Sequence, residues 1–396
     1  MTSTCFYWQH PIHGPLIGVG QTQVLQFQND FDSISVQAFI DANKGNYIFG
    51  YLSFELKNHF EKLCSENPDE LQFPELHLWV PESIYTLNAE LSHFWGQKKA
   101  ENKTFAAHFS AQMQNHQTGI SAEFKPRTSK EAYFQHFNAL KNALQRGDIY
   151  EVNYCQELYV ADYQLTNPYG LFGRLNARTK APHAAFIETD THFVLCASPE
   201  RFIQKIGNQL RSEPIKGTAA RNVNPEKDAH NAKQLQNNPK ERAENIMIVD
   251  LVRNDLSRIA QKNSVQVDEL CQIYSFETVH QMISKIHCTL RPEVDFLEIL
   301  KSLFPMGSMT GAPKIAALEH IEANEDFKRG LYSGSIGLIE PNGDFDFNVV
   351  IRSLLYNRQK QYLSLAVGSA LTIGANPEDE YNECLLKADK LINGLD

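Results

Sequence analysis

Between Leu331 and Val367 the chain spells out an antiparallel sheet through its turns. Two apolar runs flank Pro341-Asn-Gly-Asp344, and Asn-Gly is the pair that most readily adopts the left-handed backbone of a two-residue hairpin turn. A second turn, Asn357-Arg-Gln-Lys360, leads into a third run. Strands joined this tightly are antiparallel neighbours, so the fold must contain an antiparallel sheet of some size. More strand material is expected from Ile149 to Val160, where residues alternate, and from Phe193 to Arg211. Helices punctuate these runs. Tyr133, Phe134, Phe137, Leu140 and Leu144 recur at helical spacing and Gly147 follows as a C-cap. Asn238-Pro239 and Asn376-Pro377 each read as an N-cap with proline in the first turn, and a further helix is expected to start near Pro313. The fold class is therefore α+β, with large antiparallel sheets and helices packed on them.

Composition narrows the function classes. The chain has 396 residues, 42% hydrophobic and 21% charged, which suits a folded protein with a large core. No run approaches the roughly 20 apolar residues of a membrane span, and the first residues do not resemble a secretion signal. The seven cysteines are scattered without a C-x-x-C pair, which is expected of reduced thiols in a cytoplasmic protein. A net charge of −10 argues against a nucleic-acid partner. An anionic substrate would need local features that overcome this field. Short aromatic and β-branched runs make residues 1–120 an N-terminal α+β region, and the polar stretch from about 100 to 130 is the expected linker.

Several residues could carry chemistry. Glu380 and Glu383 lie i,i+3 on the last helix with Lys387 one turn on, and Glu244 precedes the apolar run 246–249 on the helix opened by Pro239. Each feature alone is ordinary solvated surface; together they are the sparse carboxylate set that Mg²⁺ takes alongside water and substrate oxygens. Pro214-Ile-Lys-Gly-Thr218 is read as a loop in which Gly217 permits close backbone approach and Thr218 donates from hydroxyl and amide. Its Lys216 is either a solvated lysine or an amine nucleophile. Residues 307–314, which include Thr310, run small side chains into a helix start, which suits either an anion site or a tight turn. Arg352, expected on the second hairpin strand, follows Val349-Val-Ile351 and needs an anionic partner in such apolar company. His280 reads as a packing or capping residue.

These segments resemble the chorismate-utilising enzymes, a family that includes the first components of anthranilate synthase and aminodeoxychorismate synthase and the isochorismate and salicylate synthases. The stretches that carry the resemblance are GDIYEVNYCQE (147–157), SPERF (198–202), PIKGT (214–218), ERAENIMIVDLVRNDL (241–256), FPMGSMTGAPK (304–314), GSIGL (334–338) with Arg352, and EYNECLLKA (380–388). They occur in family order and imply a chorismate-binding catalytic domain over residues 128–392 in the fold of that family. Lysine in PIKGT points to the aminodeoxychorismate branch, since the resemblance implies alanine at this position in most anthranilate and isochorismate synthases.

The resemblance implies roles for individual residues. Glu244 and Glu383 would bind Mg²⁺, with Glu380 holding its water. Arg352 and Tyr332 would grip the enolpyruvyl carboxylate, and Lys387, Gly217, Thr218, Gly368 and Thr310 would complete the substrate site. Glu200 would protonate the departing 4-hydroxyl, and Lys216 would add to chorismate. Ammonia would come from a separate glutamine amidotransferase subunit, since the chain has no Gly-x-Cys-x-Gly elbow. The implied reaction makes 4-amino-4-deoxychorismate for 4-aminobenzoate and folate; the alternatives are an anthranilate synthase first component and a non-catalytic chorismate-binding subunit. Glu151 stands where amine-transferring relatives commonly carry glutamine and isochorismate-type enzymes a lysine base. Gln281 stands where anthranilate synthases carry histidine, and Gly368-Ser-Ala370 replaces a run of three glycines. A nucleophilic Lys216 must be neutral, and at an ordinary pKa of about 10.4 fewer than roughly one amine in a thousand is neutral at pH 7. Mg²⁺, Arg352 and partial burial are expected to lower that pKa, and the metal carboxylates are expected to repel one another without the ion.

Overall fold

The computed structural model describes residues 4–115, 119–120 and 122–393. The helix ends follow local capping chemistry. Ser129 accepts from the Ala132 amide at the start of the Lys130–Arg146 helix, and Gly147, at φ 82°, ends it in the left-handed conformation that glycine adopts without strain. Asn238 accepts from the Lys240 and Glu241 amides to open the Pro239–Ser257 helix, and Asn376 from those of Glu378 and Asp379 to open Pro377–Ile392. The Asn-Gly turn joins Ser335–Ile339 to Phe345–Asn348 as an antiparallel hairpin.

Two large antiparallel sheets form the body. One runs, by strand, Gly311–Ala312, Glu151–Val160, Tyr362–Leu371, Ser353–Asn357, His192–Ser198, His183–Glu188, Cys5–His10, Gly14–Val19, Ser83–Thr86 and His93–Gly96. The other runs Ile215–Ala220, Val279–Thr289, Gln209–Glu213, Arg201–Ile206, Phe345–Asn348, Ser335–Ile339, Ile48–Leu52, Leu76–Val80 and Gln23–Phe27. They pack face to face. Along Cys5–His10 side chains alternate: Phe6 and Trp8 enter the core between the sheets, Phe6 stacking on Phe49 at 4.5 Å. Cys5 and Tyr7 point the other way, into a second core under the Ala100–Met113 and Pro168–Thr179 helices. Each sheet thus combines strands from before residue 120 with strands from after residue 128.

Three sequence expectations change. The polar stretch expected as a linker holds the Ala100–Met113 helix, which buries only Asn102, Ala106 and Phe109 and so shows little apolar periodicity. The segment read as a loop around Lys216 is the edge strand Ile215–Ala220. Arg352 is not on a hairpin strand; it lies between Phe345–Asn348 and Ser353–Asn357 with φ 54°.

Candidate active site

Lys216 owes its direction to a β-bulge. Ile215 pairs with Ile283 and Thr218 with Gln281, so three residues on the edge strand face two on Val279–Thr289. Gly217 absorbs the extra residue at φ 86°, and a Cβ there would lie 2.9 Å from Glu241 Oε2 and 3.0 Å from Leu235 Cδ1. Bulges re-aim side chains. Here the Lys216 side chain is buried and its Nζ donates to Glu151 Oε1 at 2.7 Å, linking the edge of one sheet to the Glu151–Val160 strand of the other. Burial pulls the ammonium toward neutrality, but Glu151, Glu244 and Glu200 outweigh it and hold its pKa above the ordinary lysine value. In the protein without a metal ion, burial does not achieve the expected lowering. The protein alone stores Lys216 as an ammonium.

Glu200 is buried in the turn before Arg201–Ile206 and lines a cavity with Ser212, Pro214, Met306 and Ser308. Burial, opposed by the Ser308 hydroxyl and Lys216, pushes its carboxyl up to about 7. Near neutral pH it therefore holds a proton much of the time.

The Pro239–Ser257 helix packs on the bulged strand and its neighbour, while the Pro377–Ile392 helix packs on Tyr362–Leu371. Between them lies a carboxylate group whose expected repulsion is relieved by lysines. Lys240 Nζ is 2.7 Å from Glu380 Oε1 and 3.9 Å from Glu244 Oε1, and Lys387 Nζ is 2.7 Å from Glu383 Oε1. Burial, reinforced by Glu151 against Lys216, raises Glu244 to about 7. For Glu383 burial also acts upward, but Lys387, Lys240 and Lys216 hold its carboxyl below the usual range. Among the described residues Glu244 Oε1 and Glu380 Oε2 are buried without hydrogen-bond partners. Two orphaned carboxylate oxygens on facing helices fit a hard cation. Among the described residues no three acidic, histidine or cysteine side chains already gather around one point, so water or ligand oxygens would have to complete the shell.

Arg352 is largely buried, and its guanidinium makes no hydrogen bond or ion pair among the described residues. Burial lowers its pKa against the pull of Tyr332 and Glu383. Such a group needs an anion. Tyr332 is buried nearby and followed by Ser333 at φ 61°, whose amide bonds the Val350 carbonyl. Ser333 and Arg352 are thus both non-glycine residues in the left-handed conformation, which costs energy and marks the segment as constrained. Lys387 Nζ donates to the Gly368 carbonyl at 2.8 Å, and a Cβ on Gly368 would be 2.6 Å from Cys155 Sγ. Thr218 is on the bulged strand opposite Gln281. Thr310 is set differently: its hydroxyl turns back to the Met306 and Gly307 carbonyls, and its own carbonyl accepts from Asn153. His280 is buried between Asp228, at 3.0 Å, and Ser275, at 2.8 Å, as a packing residue would be.

The sequence reading missed Lys240 and the buried pair Glu325–Arg329. Lys240 could have been found from its i,i+4 spacing to Glu244. Arg329 bonds both Glu325 oxygens, the Met309 and Asn153 carbonyls and the Ser333 hydroxyl, so it braces three segments of the site at once.

Residues 3–393 match the chorismate binding enzyme family. The chain is 32% identical over 360 residues to aminodeoxychorismate synthase component 1 of Klebsiella aerogenes, covering 88% of this chain and 76% of that one. To the Bacillus subtilis protein of the same name it is 30% identical over 362 residues, covering 88% and 76%. The chloroplastic aminodeoxychorismate synthase of Arabidopsis thaliana is 38% identical over 279 residues, 69% of this chain but 30% of that protein. In fold it is similar to anthranilate synthase component I from Streptococcus pneumoniae, with a TM-score of 0.81 and 21% identity over 99% and 92% of the two chains. The menaquinone-specific isochorismate synthase of Escherichia coli gives 0.76 and 19% over 100% and 89%. With a family match from end to end and relatives above 30% identity, this chain belongs to the chorismate binding enzymes.

Proposed function

We propose that this enzyme aminates chorismate at C4, giving 4-amino-4-deoxychorismate for 4-aminobenzoate and folate synthesis, in the cytoplasm, with ammonia from a separate glutamine amidotransferase subunit. The observation that carries the reading is Lys216, a buried amine aimed by a bulge into a group of carboxylates. The bacterial relatives named aminodeoxychorismate synthase component 1 support the same branch. Glu151 at the position of the water-activating lysine speaks against water addition.

Glu244 and Glu383, with Glu380 behind them, would hold Mg²⁺, which when bound supplies the positive charge that a dianionic substrate needs in this acidic site. Arg352 and Tyr332 orient the enolpyruvyl carboxylate, and Lys387, Gly217, Thr218, Gly368 and Thr310 border the remainder of the substrate. Lys216 Nζ adds to C2 as the C4–O bond breaks, and the hydroxyl leaves as water with the proton of Glu200. Ammonia then adds at C4. The double bonds shift back and Lys216 is expelled from C2.

Incubation with chorismate, Mg²⁺ and ammonium, followed by an aminodeoxychorismate lyase, should yield 4-aminobenzoate. Anthranilate with pyruvate instead would overturn the reading in favour of an anthranilate synthase, and no turnover would favour a binding subunit. Intact-protein mass spectrometry without ammonia should show a chorismate-derived adduct on the wild type and none on Lys216→Ala.

A further inference from the structure

Lys216 cannot add to a substrate while it carries its proton, and in this fold it is stored as an ammonium. Five carboxylates sense it, each from a different position. Glu151 comes from the opposite sheet, Glu200 from the turn before Arg201, Glu244 and Glu241 from the Pro239–Ser257 helix and Glu383 from the Pro377–Ile392 helix. Among the described residues Glu151 alone hydrogen-bonds Nζ, at 2.7 Å. Both partners are buried, and the second oxygen of Glu151 has no hydrogen-bond partner among the described residues. The other carboxylates have competing duties: Glu200 must keep its proton for the leaving hydroxyl, and Glu244 and Glu383 face the cation site.

We propose that Glu151 is a catalytic residue, the proton acceptor that frees the Lys216 amine for attack and returns the proton when the amine is expelled. The proposal rests on Lys216 as nucleophile. In the first half Lys216 gives a proton to Glu151, becoming an amine beside a carboxylic acid. Its lone pair forms the bond to C2, the two ring double bonds shift, C4–O breaks and the hydroxyl departs as water with the Glu200 proton. In the second half the ammonia lone pair forms the bond to C4 and the shift reverses. The C2–N bond breaks with its electrons on Lys216, which recovers the proton held by Glu151, while the new C4 ammonium re-protonates Glu200. No oxidant or further acid is required. Because both residues lie on strands, the exchange needs no loop to move.

The test is the rate of adduct formation with chorismate and Mg²⁺ in the absence of ammonia, quenched for intact-mass measurement from pH 6.5 to 9.5. Dividing the Glu151→Gln rate by the wild-type rate at each pH cancels the limb due to Glu200. The ratio should be about 0.01 at pH 7, the scale of a lost general base. It should climb up to tenfold per pH unit as solvent takes over the deprotonation. Glu151→Asp, which keeps a carboxylate, should stay within about tenfold of wild type. Calorimetric binding of chorismate with Mg²⁺, measured in the Lys216→Ala background where no adduct forms, should be unchanged by either substitution. A ratio near one at pH 7, or a loss equal at every pH, overturns the proposal while leaving the nucleophile intact. If wild type itself forms no adduct, the nucleophile reading falls and takes the proposal with it. Should Glu151→Gln fail to fold, Glu151→Ala replaces it with the same expected ratio, and a loss equal at every pH overturns the role.

Discussion

Replacing Arg329 by Met tests how the site is braced. The guanidinium is fully buried, with five hydrogen bonds: two to Glu325, at 2.9 and 2.6 Å, and one each to the Met309 carbonyl, the Asn153 carbonyl and the Ser333 hydroxyl, at 2.7, 2.8 and 3.2 Å. Methionine fills much of the space but leaves Glu325 as an uncompensated buried charge, its remaining donor being the Cys155 amide at 2.8 Å. Breaking a buried pair from one side costs about 3–5 kcal/mol. For a chain of this length the unfolding entropy is on the order of 0.8 kcal/mol per degree, so Tm should drop by about 5 °C. Burial raises Glu325 and Arg329 opposes it; without the arginine its folded pKa rises further above the unfolded value. A raised pKa means stability that is present at low pH and lost as pH rises, so the defect should be larger at pH 8 than at pH 5. Urea unfolding at both pH values measures this, and Arg329→Met combined with Glu325→Gln should recover at least about 1 kcal/mol of the loss. A single variant within about 1 kcal/mol of wild type, or a double variant no better than the single, would refute the reasoning.

With burial raising Glu200 to about 7, a reaction that needs its acid form should lose kcat/KM about tenfold per pH unit well above 7, a limb that Glu200→Gln should abolish along with most activity. Gly217→Ala forces a Cβ into left-handed backbone beside Glu241 and Leu235; about 1–2 kcal/mol of stability should be lost by denaturant titration, and KM for chorismate should rise. Excess chelator should abolish turnover and Mg²⁺ restore it. Glu383→Gln, at a half-exposed position, should lose at least about 100-fold in activity while Tm moves by less than about 2 °C, and full activity in chelator would remove the metal assignment.

What the sequence discloses here is what neighbouring residues determine among themselves. Gly147, Asn238-Pro239 and Asn376-Pro377 mark helix ends because the capping bonds join residues two to five apart. Asn342-Gly343 fixes its hairpin in the same way. The Ile215–Ala220 strand escapes such reading because it is short, at an edge, and carries an αL glycine at its bulge. The motifs imply one site for Lys216, Glu200 and Glu244, and in the fold both carboxylates act on the lysine to raise its pKa. They do not disclose the charge state of Lys216, which depends on Glu151 in the other sheet. Arg329 looks from sequence like one more charge in the polar stretch Asn-Glu-Asp-Phe-Lys-Arg; only the tertiary fold removes it from water.

The interleaving of early and late strands has a consequence for synthesis on the ribosome. Ile48–Leu52 pairs on one side with Leu76–Val80, which emerges soon after it, but on the other with Ser335–Ile339. At about 5–20 residues per second, the second edge stays open for about 15–60 s. During that interval a nascent antiparallel pair rich in Phe49, Tyr51, Leu78 and Trp79, all buried in the finished protein, offers free backbone donors and acceptors to any other extended chain. The late hairpin is therefore also the piece that seals the sheet, and truncations upstream of it should be recovered as chaperone-bound or aggregated chains.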